Sequence, residues 1–187
     1  MIGMFASSLE LSKQQNIFPI TPPDITEIIK IGELSSLSSW TYSDYLDEIQ
    51  RKESVGFVYK NSIKSIKGND EFESRDIFGF IISRLLNTQS HIHPQEYTEI
   101  SECEILNIAV HPLFRAKGIG QKLFAATVNR CLSQKVESIW LEVRKNNVEA
   151  VNFYQKNGFE VIYTRKNYYH NPLEDALVMK AALTEKG

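Results

Sequence analysis

The sequence predicts a mixed α/β protein with a central sheet of six to seven strands flanked by about four helices. Two observations predict it. The front half carries β-branched and aromatic runs separated by polar stretches, as in hairpins. The back half alternates strand and helix patterns in a β-α-β-α-β run.

The elements follow in order. Residues 1–15 read as a loose extension before a single domain over 16–183. Asn16 to Ile20 suits a short strand. Thr21-Pro22-Pro23-Asp24 is a helix start, and Ile25, Ile28, Ile29 and Leu34 recur at helical spacing behind it. A second helix is expected over Tyr42 to Lys52. Val55 to Tyr59 and Ile77 to Leu86 read as strands joined by the polar stretch 61–75, taken as a long hairpin connection. A second polar stretch, 87–99, leads to a buried strand over Cys103 to Val110. His111-Pro112 ends that strand. Leu123, Phe124, Val128, Cys131 and Leu132 then form the apolar stripe of a helix reaching about Ser133. Ser138 to Arg144 is a strand, Asn147 to Lys156 a helix, Phe159 to Thr164 a strand and Ala176 to Lys180 the last one.

Composition narrows the function. The 187 residues fit one domain with its own core. Lysine and arginine total 21 against 23 acidic residues, so no global charge draws the chain to nucleic acid or to an anionic membrane. Neither partner is expected. Cys103 and Cys131 lack a CxxC or Cys/His spacing and read as reduced, packed thiols, and the four histidines show no ligand spacing, so no metal is expected. The start lacks a basic, apolar leader pattern and no stretch is long enough to cross a bilayer, which points to the cytoplasm.

The sharpest local signal is the strand NIAV, a short turn, and Arg115-Ala116-Lys117-Gly118-Ile119-Gly120 opening an amphipathic helix. Glycines admit a close ligand, and the N–H groups at a helix start favour phosphate oxygens, so a diphosphate suits it. Taken alone, two glycines near a helix start are commonly an ordinary turn. Neither the dinucleotide nor the nucleoside-triphosphate fingerprint applies.

The second signal is Asn147 with Tyr154 seven residues later, two helical turns on, placing both on one side of a helix. In the preceding strand Ile139, Leu141 and Val143 share one face, while Ser138, Trp140, Glu142 and Arg144 share the other. A carboxylate at Glu142 can accept a proton, and a tyrosine hydroxyl nearby can give one to a leaving thiolate. The bland readings are a solvated Glu142 paired with Arg144 or a lysine, and a Tyr154 that only packs. Glu102 and Glu104 are reserve bases. Tyr168-Tyr169 suits either the wall of an acceptor pocket or ordinary rim packing.

NIAVHPLFRAKGIGQKLF, LEVRKNNVEAVNFYQKNGFE and RKNYYHNPLEDALVMK resemble the motifs of the GNAT N-acetyltransferases, and within them the RimI-type subfamily, bacterial enzymes that acetylate the N-terminal alanine of a small-subunit ribosomal protein. The likeness is strong from about residue 103 onward and reaches the front half only in element order. It implies the GNAT fold and acetyl-coenzyme A as cosubstrate. It implies that backbone groups of Ile108, Ala109 and Val110 pair with the pantetheine arm, that Arg115, Ala116, Lys117, Gly118, Ile119, Gly120 and Gln121 hold the pyrophosphate, and that Asn147 contacts coenzyme A. It also implies Glu142 as general base and Tyr154 as general acid. The expected acceptor is a protein N-terminus, that of a ribosomal protein. A lysine or small-molecule amine acceptor, or a catalytically idle acetyl-CoA-binding module, are the alternatives. The stretches 61–75 and 87–100, with the extension, depart from compact bacterial relatives and leave the acceptor open.

Overall fold

The computed structural model describes residues 16–37, 40–67, 70–93 and 96–183, with the backbone alone at 61–67, 70–75, 87–93 and 96–100. The extension over 1–15 lies outside the described residues. The elements are β1 (Ile17–Pro19), a 3-10 turn (Pro22–Asp24), α1 (Ile25–Leu34), α2 (Tyr42–Ile49), β2 (Ser54–Lys67), β3 (Asp70–His93), β4 (Glu96–Val110), a second 3-10 turn (Pro112–Phe114), α3 (Ile119–Ser133), β5 (Ser138–Arg144), α4 (Val148–Lys156), β6 (Glu160–His170) and β7 (Leu173–Ala182). The strands hydrogen-bond in the order β1-β2-β3-β4-β5-β7-β6. The mixed α/β expectation, seven strands with four α-helices, is met. By its contacts the chain divides into two compact units, residues 16–83 with 107–130 and residues 84–106 with 131–183.

In the first unit, β1 runs antiparallel to β2, pairing Ile17 with Tyr59 and Pro19 with Phe57. Pro22 and Pro23 cannot donate, so they suit the first turn before α1. Thr21 closes that turn, donating from its N–H (2.9 Å) and hydroxyl (2.8 Å) to Asp24, whose other oxygen takes the Lys60 ammonium at 2.6 Å. Asp24 thereby fixes the entry to α1 against β2. Ile25, Ile28 and Ile31 follow at helical spacing and are fully buried. A capping box between Thr41 and Asp44 starts α2, which buries Tyr45 and Glu48. The expected end at Lys52 is corrected to Ile49. Arg51 N–H bonds back to Glu48 C=O and Ser54 N–H to Arg51 C=O, and that tightened turn delivers the chain into β2. In α3, Ile119, Leu123, Thr127 and Cys131 lie four apart and all are buried, whereas Leu132, expected in the stripe, is 40% exposed.

The second unit is built on β5, β6 and β7 with the start of β4. Parallel pairing joins Glu102 to Ser138 through Ile105 to Leu141. Antiparallel pairing joins β5 to β7 from Ser138–Ala182 to Arg144–Ala176, and β6 to β7 from Glu160–Lys180 to His170–Leu173. Ile139, Leu141 and Val143 are buried and Trp140, Glu142 and Arg144 half-buried, the expected alternation, except that Ser138 is buried too.

Three further expectations on the elements are corrected. The stretches 61–75 and 87–99 are not plain connections, because strand continues to Lys67 and from Asp70, and to His93 and from Glu96. A ladder satisfies the backbone whether or not the side chains are apolar, so polar composition hid these strands. The β6 and β7 strands run beyond 164 and before 176, since Tyr169 and His170 pair with Glu174 and Leu173 after a register shift. Asn147 is the cap of α4 rather than its first turn.

Candidate active site

The glycine loop belongs to the first unit. Its strand, Ile108 to Val110, is anchored where His111 N–H donates to Phe78 C=O at 2.9 Å. His111 also caps the following turn, its Nδ1 accepting from Leu113 N–H, so the expected strand exit has a definite hydrogen-bond basis. Phe114 stacks on Phe78 with centroids 3.9 Å apart and planes 12° apart, and the Lys117 ammonium lies 4.8 Å over the Phe114 ring. Arg115 folds back, its Nε donating to Val110 C=O and a guanidinium N–H to Ser35 Oγ, both at 3.3 Å.

The loop backbone then twists into left-handed conformations at Ala116 (φ 58°) and Gly118 (φ 77°). A Cβ on Gly118 would meet nothing within 4 Å, so backbone and not space selects glycine there. Gly79 differs. Its missing Cβ would stand 2.9 Å from Ala109 C=O and 3.2 Å from Leu123, so β3 passes close under the loop's strand only because that position is bare. Lys122 N–H makes an early helical bond to Gly118 C=O, which leaves the Ile119 and Gly120 amides at the helix start without an intrahelical acceptor. Ile119 is buried as the apolar anchor of that turn, while residues 115–118 are exposed and Gly120 and Gln121 half-buried. Exposed amides, left-handed residues and the positive end of a fifteen-residue helix can hold an anion such as a pyrophosphate.

The proposed acid and base belong to the second unit. Asn147 caps α4, its side-chain oxygen accepting from Ala150 N–H at 3.1 Å. Tyr154 is 5% exposed, between Phe153 and Phe159 with centroids 5.4 Å from each. Burial, with a smaller push from Tyr169, holds its hydroxyl far above the ordinary phenol range. It is a protonated donor at neutral pH.

Glu142 is half-buried rather than fully solvated. Its carboxylate is ion-paired with Arg165 and accepts from the Tyr168 hydroxyl. That hydrogen bond, with burial and the carboxylate's charge, pushes the Tyr168 phenol up to about 12. Arg144, the partner expected in the bland reading, is engaged elsewhere. It donates to Glu174 at 3.2 Å and to the Asn171 and Pro172 carbonyls at 3.0 and 3.4 Å, and lies 4.1 Å over the Tyr169 ring. Tyr168 and Tyr169 meet edge to face at 5.1 Å.

The reserve carboxylates fare differently. Glu102 accepts from Trp140 Nε1 at 2.8 Å, Ser138 Oγ at 3.0 Å and Lys180 Nζ at 3.3 Å. Burial pushes its carboxyl up, and those three donors together outweigh it and leave the group below its ordinary range. A carboxylate so held is a strut and a poor proton acceptor. Glu104 is half-buried opposite Trp140. Cys103 and Cys131 are buried thiols. Among the described residues no group of three or more His, Cys, Asp or Glu is placed to hold a metal ion, and no helix is long and apolar enough to cross a membrane. Sequence reasoning missed Arg165 and Glu174, whose only advance signal is the register of β6 and β7.

A model of the acetyltransferase (GNAT) family matches residues 27–159. The ribosomal protein bS18-alanine N-acetyltransferase of Haemophilus ducreyi is 39% identical over 85 residues, which are 44% of this chain and 59% of the relative, so that match spans less than two thirds of the relative's length. An N-alpha-acetyltransferase of Sulfurisphaera tokodaii is 29% identical over 161 residues, 86% of this chain and 88% of its own. The crystal structure of the ribosomal-protein-S18-alanine N-acetyltransferase from Escherichia coli shares the fold, with a TM-score of 0.67 and 22% identity over 91% of this chain and 95% of that one.

Proposed function

The chain belongs to the acetyltransferase (GNAT) family, and from that premise we propose that it transfers acetyl from acetyl-coenzyme A to a protein N-terminal α-amine, that of the N-terminal alanine of a small-subunit ribosomal protein. The observation that carries this reading is the family match over 27–159, which takes in both the glycine loop and Tyr154. On this reading 16–183 is one acetyltransferase domain, and a ribosomal-protein acceptor would place it in the cytoplasm.

The loop's open Gly118 and the helix-start amides of Ile119 and Gly120 fit a pyrophosphate, with Arg115, Ala116, Lys117 and Gln121 completing the cradle. Backbone groups of Ile108, Ala109 and Val110 would pair with the pantetheine amides. Asn147 has spent its side-chain oxygen on the α4 cap, so its amide N–H would make the coenzyme A contact. Bound acetyl-coenzyme A supplies an activated thioester. Glu142 takes the proton that the acceptor ammonium sheds, a less uphill step for an α-amine with a reference pKa of about 7.7–8.0 than for a lysine at about 10.4. Tyr154 donates to the departing sulfur. As so strongly raised a phenol is a weaker acid than a thiol, its first contribution is a hydrogen bond that strengthens as charge develops there.

The reading is tested by coenzyme A release with peptides beginning Ala-Arg, Ser, Met or Gly, and with an N-terminally blocked peptide containing lysine. Preference for the free alanine terminus is expected. Turnover of the blocked lysine peptide alone would overturn the acceptor, and silence on every peptide would point instead to a small-molecule amine acceptor or to an idle acetyl-CoA-binding module. Equal turnover of several free termini would favour a broader α-amine acceptor, a second reading supported by the match of 86% of the chain to an N-alpha-acetyltransferase.

A further inference from the structure

We propose that Arg165 is a built-in stand-in for the acceptor's ammonium, a latch on Glu142 that the incoming amine must replace, so that Arg165 sets acceptor affinity. The inference rests on the acceptor reading above and goes beyond it by assigning a residue that opposes substrate binding.

The geometry is particular to the second unit's sheet. Glu142 stands on β5 in register with Val178 of β7, and Arg165 stands on β6 in register with Ala176 of β7. The arginine therefore reaches its carboxylate across an intervening strand, over a row of small and β-branched residues. Tyr168 completes the arrangement from the same strand as Arg165. Its hydroxyl donates to Glu142 and its ring lies 4.9 Å from the guanidinium carbon. The carboxylate consequently has two partners of different kinds, one neutral and fixed through its ring, one cationic.

Exposure makes the cationic partner the replaceable one. The Glu142 side chain is 20% exposed and that of Arg165 46%, so the carboxylate is recessed and the guanidinium stands on the solvent side. An ion pair with one well-solvated member is weak, since returning the guanidinium to water costs little. Leaving the recessed carboxylate without a cation costs more, which favours exchange for another cation over simple opening. A primary ammonium offers the same N–H donors and charge in a smaller volume. The remaining cations on these strands are held by other anions, Arg144 by Glu174, Lys180 by Glu102 and Lys166 by Asp175. Exchange also links binding to chemistry. A carboxylate covered by a permanent cation cannot take a proton, whereas one paired with an ammonium can receive a proton from that same group and release a neutral amine.

The test compares wild-type protein with R165Q and R165K in the coenzyme A release assay, varying an Ala-Arg peptide at saturating acetyl-CoA and then the reverse. R165Q is expected to lower the peptide KM about two- to five-fold, the range of an exposed ion pair, with the acetyl-CoA KM unchanged. R165K should return the peptide KM toward the wild-type value. A peptide KM that is unchanged or raised in R165Q, with wild-type turnover intact, overturns the latch and leaves the acceptor reading standing. Absence of wild-type turnover on every free-N-terminal peptide overturns both. Thermal melting of each variant accompanies the assay, and because R165K preserves the charge, a loss of fold in R165Q is read against it: a peptide KM in folded R165K lying above that of wild type would also sink the latch.

Discussion

Arg144 at the end of β5 and Glu174 on β7 face each other at 3.2 Å, and the second oxygen of the same carboxylate accepts from the Asn146 N–H at 2.7 Å. One half-buried carboxylate thus ties β7 both to the end of β5 and to the turn that presents Asn147 as the cap of α4. Glu174→Ala removes it and leaves Arg144 with the Asn171 and Pro172 carbonyls and the Tyr169 ring. The expected cost is about 2–4 kcal/mol, between an exposed pair and a fully buried one. Urea unfolding checks it. Glu174→Gln, which can still accept from Asn146, should recover a substantial part.

Tyr154→Phe keeps the ring between Phe153 and Phe159 and deletes only the hydroxyl. If that hydroxyl is the donor to the departing sulfur, turnover should fall by about a hundred-fold or more while the acetyl-CoA KM changes little. Steady-state kinetics decide the matter. Intact turnover with a raised acetyl-CoA KM would assign Tyr154 to packing alone.

Local patterns carry much of this fold in the sequence itself. The alternation of Ile139, Leu141 and Val143 identifies the buried face of β5, and the helical spacing of Leu123, Phe124, Val128 and Cys131 identifies α3, because each is a period carried by neighbouring residues. The glycine loop announced itself by residue type. The partners of Glu142 and Glu102 did not. Arg165 is 23 residues from Glu142 and meets it only through the register of two hairpin strands, and Glu102 gathers donors from β5 and β7. Sequence spacing carries no such register. The long arms of β2, β3 and β4 were hidden for a different reason, since a polar ladder has hydrogen bonds but no apolar period to read.

Gly79 and Gly118 should respond differently to the same substitution. Gly79→Ala drives a Cβ to 2.9 Å from the Ala109 carbonyl, a backbone atom that cannot swing aside, at an expected cost of about 1–3 kcal/mol in urea unfolding. Gly118→Ala meets no atom and carries only the left-handed strain of φ 77°, roughly 1–2 kcal/mol. Relief of that strain would tilt the loop amides, so G118A should raise the acetyl-CoA KM more than its stability loss suggests. Titrating coenzyme A against both variants below their melting temperatures separates the effects.

Alkaline stability should depend on Tyr45, which is 2% exposed in the first unit, with Trp40 and Phe80 rings 5.1 and 6.1 Å from its own. Burial pushes its phenol from 10.0 up to about 12. The native state therefore holds this proton more tightly than the unfolded chain does. The stabilisation is complete below pH 10, where both states are protonated, and is lost as pH rises from 10 through about 12, because only the unfolded chain ionises freely there. Tyr45→Phe removes the titrating group without emptying the core. Urea midpoints at pH 8, 10 and 11 should fall less steeply with pH in that variant than in the wild type, and parallel curves would show that Tyr45 is not the group responsible.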